Sequence, residues 1–475
     1  MNISRICITT LILTVVSLGS PTVLSKNITL EQYLSKSLKN HSLSKSNYLT
    51  YMAELKKLDG VKGIEDWNLY TNASYTKGLG SQFSSAFNTH GKTTILSSEA
   101  SKLLVKTGTR FNVSPTYQSY KNYPEVFPGF TIDDTSTFSL DLTITQPLLR
   151  NAMGEIDKYP LQLKDFQASL LEIKYNEDQE ALTMRLTTLY LQWKLSYTTL
   201  QFLDTQLQKA NLQEASVLKQ YQQGAVEKLD HVLARQNVKN KTVLLLQEEQ
   251  RLSALTRSLS SHYGDLSNIT PNSSEEKIPF KNQSWATDYL NTKSRFEKLL
   301  SIEKEMQKIT VVYTKNLTDS TLDLFAKTSL KNTAASYSDS IKNNSFTVGL
   351  NYSGFLKNTT TKAEEASAHY KLMALEKRQA DQRIKIANAL TTLYDDLGKL
   401  EEIITNVKEL SDLTQEAEVL ELKAYNQGRR NSFNLVLDAQ NRALSTYIQL
   451  AILNFKHAQL KSQIAGVLDL YTIRI

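Results

Sequence analysis

One stretch of this chain is written twice, and that repetition limits what it can fold into more than any other feature. Leu186 to Tyr190 reads LTTLY, and 31 residues after that tyrosine stands Tyr221-Gln222-Gln223-Gly224, followed by Val232-Leu233 and Gln236-Asn237. LTTLY returns at Leu390 to Tyr394, and the same order follows without a gap 204 residues downstream: Tyr425-Asn426-Gln427-Gly428, Val436-Leu437 and Gln440-Asn441. The chain is two copies of one long unit.

Within each unit the apolar positions step by threes and fours. The first copy runs Leu182, Leu186, Leu189, Trp193, Leu200, Leu203, Leu207, and the second Leu390, Leu393, Leu397, Leu400, Ile404, Val407. That period belongs to helices packed along a seam. From Leu161, just after Pro160, to Tyr221 there is neither proline nor glycine. The spacing predicts a helix of about 60 residues, roughly 90 Å at 1.5 Å per residue. Each rod then meets a glycine, where a left-handed residue can end a helix, and a second helical pattern starts at once. The unit is therefore read as a long helical hairpin turning at Gly224 or Gly428.

Residues 1–25 carry one arginine, Arg5, then an apolar core from Ile6 to Leu18 and small residues toward Ser25, the pattern of a secretory signal peptide. The only cysteine, Cys7, lies inside it after Ser4-Arg5-Ile6, so neither a disulfide nor a lipid anchor is expected in the mature chain. The net charge is +7, or +6 without Arg5, with both signs interleaved along the chain. That is the charge of a solvated helix surface, and with the export signal it argues against nucleic acid as a partner. No run of 18 apolar residues follows the signal, so a membrane crossing would have to be made of strands.

Strand periodicity does occur. Helical patterns over Ile28 to about Leu58 (Leu30, Tyr33, Leu34, Leu38, then Tyr48, Met52, Leu55) end at Gly60 and Gly63, after which Trp67, Leu69, Thr71, Ala73 and Tyr75 alternate with polar residues. More regular is Phe138, Leu140, Leu142, Ile144 set against Ser139, Asp141, Thr143, Thr145, the length and alternation of an outer-membrane strand. An ordinary soluble strand shares that pattern, but the 60-residue rods on either side favour the membrane. Between these strands, residues 81–136 read as an enlarged external loop. Within it Thr93 to Leu104 and Thr109 to Tyr120 suit a hairpin about Lys106-Thr107-Gly108, with Phe111, Val113 and Tyr117 on one face; two further membrane strands are the alternative. Gln146-Pro147-Leu148-Leu149-Arg150-Asn151 turns strand into helix, as Gly354-Phe355-Leu356-Lys357-Asn358 does in the second copy, whose strands are expected near 321–330 and 345–354. An irregular linker over 265–283 holds Pro271 and Pro279, and Trp285 to Lys315 is helical. The domains are thus a signal peptide (1–25), a first repeat (26–264, strands near 67–77 and 137–146), the linker, and a second repeat (284–475).

In this organisation the chain resembles the TolC-type outer-membrane efflux and secretion channels over nearly its whole mature length. The residues that carry the resemblance are Leu142-Thr143-Ile144-Thr145-Gln146-Pro147-Leu148-Leu149, Tyr425-x-x-Gly428 and Val436-Leu437-Asp438-Ala439-Gln440, in that order inside a two-fold repeat. The resemblance implies a mainly α fold with a small membrane β-barrel. It implies a homotrimer in which each protomer gives four strands to one shared barrel, continued by a helical tunnel. The implied function is a passive exit duct of a tripartite efflux or type I secretion system, working with a periplasmic adaptor and an inner-membrane transporter. Four strands cannot close a barrel alone, which independently demands an oligomer.

Chemistry of other kinds is not suggested. The six histidines (His41, His90, His231, His262, His369, His457) have no metal-ligand spacing, and Gly78-Leu79-Gly80 is too short for a phosphate loop. Glu248-Glu249, Asp395-Asp396 and Glu401-Glu402 read as solvated helix faces, and neither an enzyme nor a cofactor is expected. The rival reading from another class is a secreted coiled-coil rod without a pore, which has no use for a lipid-facing row such as Phe138, Leu140, Leu142 and Ile144.

The resemblance also points to a gate. In that family the closed tips are held by a tyrosine and an arginine flanking the second tip's glycine and an aspartate six residues after the first tip's. Tyr425, Arg430 and Asp230 stand at those positions, so Asp230 is expected to accept hydrogen bonds from Tyr425 and Arg430. The family's acidic ring inside the tip is replaced here by Asn434 and Leu437, with Asp438 the remaining acid nearby. Adaptor docking is expected around Tyr221, Gln223, Gly224 and Ala225 and around Gln427, Gly428 and Arg429.

Overall fold

The computed structural model describes residues 26–79, 90–123, 134–266, 268–272, 274, 276–334, 340–429 and 433–471. The expected signal peptide and Arg430 lie outside them.

In chain order the elements are β1 (Lys26–Ile28), α1 (Leu30–Asn40), α2 (Ser42–Asp59), β2 (Asn68–Leu79), β3 (His90–Leu104), β4 (Thr109–Tyr123), β5 (Thr135–Pro147), α3 (Glu155–Gln222) and α4 (Lys228–Tyr263). Then come β6 (Ile269–Pro271), α5 (Gln283–Thr292), α6 (Arg295–Leu317), β7 (Thr321–Ala334), β8 (Ser340–Ser353), α7 (Thr359–Asn426) and α8 (Phe433–Val467). The two long helices have 68 residues each, and the second begins and ends 204 positions after the first. The long helices thus keep the offset seen in the letters. Along them the predicted seam is buried: Leu182, Leu186, Trp193 and Leu203 are 2–3% exposed and Leu390, Leu397, Leu400 and Val407 are 2–8% exposed.

Several expected boundaries move. The first long helix starts at Glu155 rather than Leu161 and runs through Pro160. Its start is fixed by Asn151, whose Oδ1 accepts from Ile156 N at 2.9 Å and Asp157 N at 3.2 Å. A proline this close to the end costs a single ladder bond, which a side-chain cap offsets. The helix expected over 285–315 is broken at Ser294, which caps α6 by accepting from Glu297 N at 3.1 Å. Part of the supposedly irregular linker is β6, paired in parallel with β1.

The chain divides into two compact units. One comprises the described residues of 1–41, 183–278 and 398–462. At its heart Tyr33 packs against Tyr190 and Tyr263, with ring centroids 5.6 and 5.9 Å apart, and the Tyr190 hydroxyl donates to Ile28 O at 2.8 Å, holding the β1 clasp. The other comprises the described residues of 42–182, 279–397 and 463–475 and contains the six-stranded sheet. There Arg295 ties α6 to α3 and to the chain after α8: its Nε lies 2.9 Å from Asp469 Oδ1 and 3.1 Å from Glu177 Oε1, and its other arm pairs with Glu180. Among the described residues these three carboxylates are the one group that approaches a metal-like spacing, and the guanidinium bonds all three of them.

Candidate functional site

The sheet is antiparallel throughout, in the order β2-β3-β4-β5-β7-β8. The described chain forms one sheet of six paired strands, where the resemblance implied four, and of the two readings open for residues 81–136 it is the added strands that are found: β3 and β4, inserted between β2 and β5. The predicted hairpin is there, with its turn at Lys106-Thr107-Gly108, but it is part of the sheet.

Residues opposite one another on antiparallel strands share a face, so the register shows which face is apolar. Phe138 stands opposite Tyr117, and Tyr117 opposite Leu96; Leu142 stands opposite Val113; Ile144 stands opposite Phe111. On the far side of β5, Leu142 leads through Thr328 to Phe346, and Ile144 through Ala326 to Val348. The other face is polar: Thr137, Ser139, Asp141 and Thr143 lie opposite Gln118, Thr116, Ser114 and Asn112. On that face Lys327 Nζ sits 2.9 Å from Asp141 Oδ2, and Asn112 Nδ2 donates to Glu99 at 2.5 Å. Of the expected lipid-facing row, Phe138, Leu142 and Ile144 are 38–50% exposed and Leu140 is half-buried. Polar on one face and apolar on the other, the sheet suits a wall between water and hydrocarbon.

The β3–β4 turn is fastened to the end of the sheet from which α3 leaves. Gln146 Nε2 donates to Thr107 O at 2.8 Å, Thr109 Oγ1 donates to Gln146 Oε1 at 2.5 Å, and Val105 N donates to Glu65 Oε1 at 3.3 Å. The backbone passes so close that a Cβ on Gly154 would fall 1.9 Å from Val105 O. Only glycine allows that approach.

At the other end of the long helices the two hairpin tips share one backbone design. Gly224 has φ 73° and its N–H bonds Tyr221 O at 3.0 Å, while Ala225 N bonds Gln220 O at 2.9 Å. Gly428 has φ 67°, its N–H bonds Tyr425 O at 3.0 Å, and Arg429 N bonds Ala424 O at 3.0 Å. Both are left-handed glycine caps. Gln223 and Gln427 are exposed beside them.

The side chains depart from the symmetry. Tyr221 is 38% exposed and stacks on His231, with centroids 5.8 Å apart, and His231 Nε2 lies 3.1 Å from Glu214 Oε1. Tyr425 is 7% exposed, enclosed by Val217, Ala234, Phe433 and Val436. The cause is the sequence beyond each glycine: the first copy has Leu229 and His231 where the second has Phe433 and Leu435. Phe433 covers the second tyrosine at 5.2 Å. The two tyrosines, alike in the sequence repeat, therefore sit in different environments.

Of the expected gate group, Asp230 lies in the first turn of α4, half-buried, and Asn434 and Asp438 lie on the exposed side of α8. Burial, with the Asp230 carboxylate as the smaller cause, pushes the Tyr425 phenol up to about 12. The hydrogen bond from Tyr425 to Asp230 is not formed within the chain: the Tyr425 hydroxyl is buried without a partner.

Behind the tips runs a polar seam that the repeat motif alone does not reveal. Asn237 Nδ2 donates to Gln440 Oε1 at 3.2 Å, Gln440 Nε2 donates to Gln213 Oε1 at 2.7 Å, Lys241 Nζ donates to Asn441 Oδ1 at 3.2 Å, and Lys209 Nζ pairs with Glu418 at 3.3 Å. The duplicated Gln-Asn pairs were the visible signal, yet Asn237 bonds Gln440 rather than its own counterpart Asn441. Burial lowers the Lys241 ammonium below its ordinary value, opposed by the Glu418 charge.

No protein-family model and no curated protein matches the sequence. Solved structures do. The chain is similar to CusC, described in the context of transmembrane channel formation, at TM-score 0.68 and 12% identity over 93% of this chain and 92% of that one. It is similar to the outer-membrane channel OprN at TM-score 0.67 and 15% identity, covering 93% and 89%. The Campylobacter jejuni CmeC outer-membrane channel gives TM-score 0.65 and 11% identity, covering 93% and 85%. Over nearly its full described length, this chain has the fold of the outer-membrane channels, as its resemblance to TolC-type proteins implied.

Proposed function

We propose that the protein is the outer-membrane channel of a tripartite export system, a passive duct from periplasm to exterior. The single observation that supports it most is the six-stranded sheet with one apolar and one polar face and two open edges, carried on 68-residue helices. Such edges are not tolerated in lipid, and six strands do not close a ring, so copies must share a barrel. The working assembly is a homotrimer. At the free tips it meets a periplasmic adaptor and, through it, an inner-membrane transporter that opens the gate and chooses the cargo. A poreless rod has no need of the apolar row from Phe138 to Ile144. The test is fractionation of cells expressing the chain. A heat-modifiable oligomer extracted by detergent from the outer membrane is expected, and a soluble monomer or a surface filament overturns the reading.

A further inference from the structure

The strands β3 and β4 carry a consequence that rests on the channel reading. Their turn is bonded to Gln146 and Glu65 at the helix-bearing end of the sheet, so both strands traverse its height, 15 residues each, and do not decorate its outer rim. At 45° tilt, about 9–11 residues cross a membrane, so 15 suffice. The β4 row Phe111, Val113, Tyr117 continues the apolar face of β5, and Asn112, Ser114, Thr116, Gln118 continue the polar one; β3 adds Leu96 and Ala100 to the apolar face, with Thr94 and Ser98 on the same row and Lys92 and Lys102 toward its two ends. A hairpin lying outside the membrane has no reason to keep that alternation in phase.

We propose that three copies close one barrel of 18 strands, six from each, with β8 of one copy pairing with β2 of the next, and that this exit passes structured polypeptide as well as small solutes. The edge strands fit the joint: β2 and β8 run in opposite directions across an even number of strands, so the ring closes antiparallel throughout. Both carry exposed apolar side chains along the edge, Leu69 and Tyr75 on β2 and Phe346, Val348 and Leu350 on β8. With strands about 4.8 Å apart and tilted about 40°, 18 strands give a backbone diameter of roughly 36 Å, against roughly 24 Å for 12. Allowing about 5 Å of side chain per wall, the clear bore is roughly 26 Å. That admits two helices of about 10 Å side by side, whereas a 12-strand bore admits one.

Electron cryo-microscopy of the full chain in lipid nanodiscs tests this by counting strands in the barrel cross-section. Eighteen strands with β3 and β4 in the wall is the expected result. A ring of 12 with β3 and β4 outside it overturns this proposal and leaves the channel reading intact; the absence of any ring overturns both. A second measurement needs no variant. Polyethylene glycol of about 10 Å hydrodynamic radius, added on the outer side of bilayer-reconstituted channels, is expected to enter and lower the conductance. Its exclusion contradicts the wide barrel.

Discussion

Tyr425 and Asp230 lie close enough for the carboxylate to help raise the phenol to about 12, yet the phenol hydroxyl has no hydrogen-bond partner within the chain. A buried hydroxyl left unpaired costs about 1–3 kcal/mol. The phenol is neutral at physiological pH. Because its folded value exceeds the usual 10, the stability it carries is fully present below pH 10 and is lost as pH rises through about 12. Asp230→Asn removes the smaller cause and should lower the Tyr425 value while leaving it above 10. Carbon-13 NMR of ring-labelled tyrosine, assigned with Tyr425→Phe, reads the shift; an unchanged value means the two groups do not interact.

The gate itself is expected to depend on Tyr425 and Arg430. Tyr425→Phe combined with Arg430→Ser should raise single-channel conductance and sensitise cells to large antibiotics. Tyr425 has no hydrogen bond to lose within the chain, so the shift is set by Arg430: one partly shielded contact worth roughly 1 to 3 kcal/mol moves closed and open populations by at least about fivefold. A double variant that assembles normally and conducts like the parent removes these residues from the gate.

At the tips, a Cβ added at Gly224 or Gly428, as in Gly224→Val or Gly428→Val, has nothing within 4 Å. The main cost is the left-handed backbone, about 1–2 kcal/mol and more for a β-branched side chain. Export is expected to fail through lost adaptor cross-linking while the oligomer survives on unheated gels. Loss of the oligomer instead would make the glycines structural caps only.

On the sheet, Leu142→Asp should reduce membrane-inserted protein, at roughly 2 kcal/mol or somewhat less for an acid at depth. Asp141→Leu should do less harm, although it deprives Lys327 of its 2.9 Å partner on the polar face. Equal insertion of both variants, measured by protease-protected protein in outer-membrane vesicles, contradicts the assignment of faces.

In the seam, Lys241 is 2% exposed and its ammonium is depressed by burial, while Glu418 keeps Lys209 as a partner in any case. Lys241→Met is therefore expected to raise thermal stability, by roughly 1 kcal/mol, because a buried charge is exchanged for packing. A lower melting temperature would show that the bond to Asn441 outweighs the desolvation.

The first long helix was legible because its period persists from Leu161 to Tyr221 without proline or glycine, and the 204-residue offset carried the reading to the second, which holds Gly398, and located both turns. Strands β3 and β4 were harder. Their hairpin turn at Gly108 was readable, but only pairing shows that Phe111 and Val113 fall in phase with Ile144 and Leu142, and pairing is a long-range property. The Arg295 knot and the Lys209–Glu418 pair join residues 115 or more apart in the chain, beyond the reach of any local period. The tip asymmetry was written in Phe433 against Leu229, yet its effect on Tyr425 depends on how those side chains pack.

The most direct test of the central claim is ion conduction by the purified oligomer in a planar bilayer. The account predicts discrete, long-lived conductance steps from the protein extracted from outer membranes. A correctly assembled, membrane-inserted oligomer that leaves the bilayer silent, with and without the Tyr425→Phe and Arg430→Ser substitutions, would contradict it.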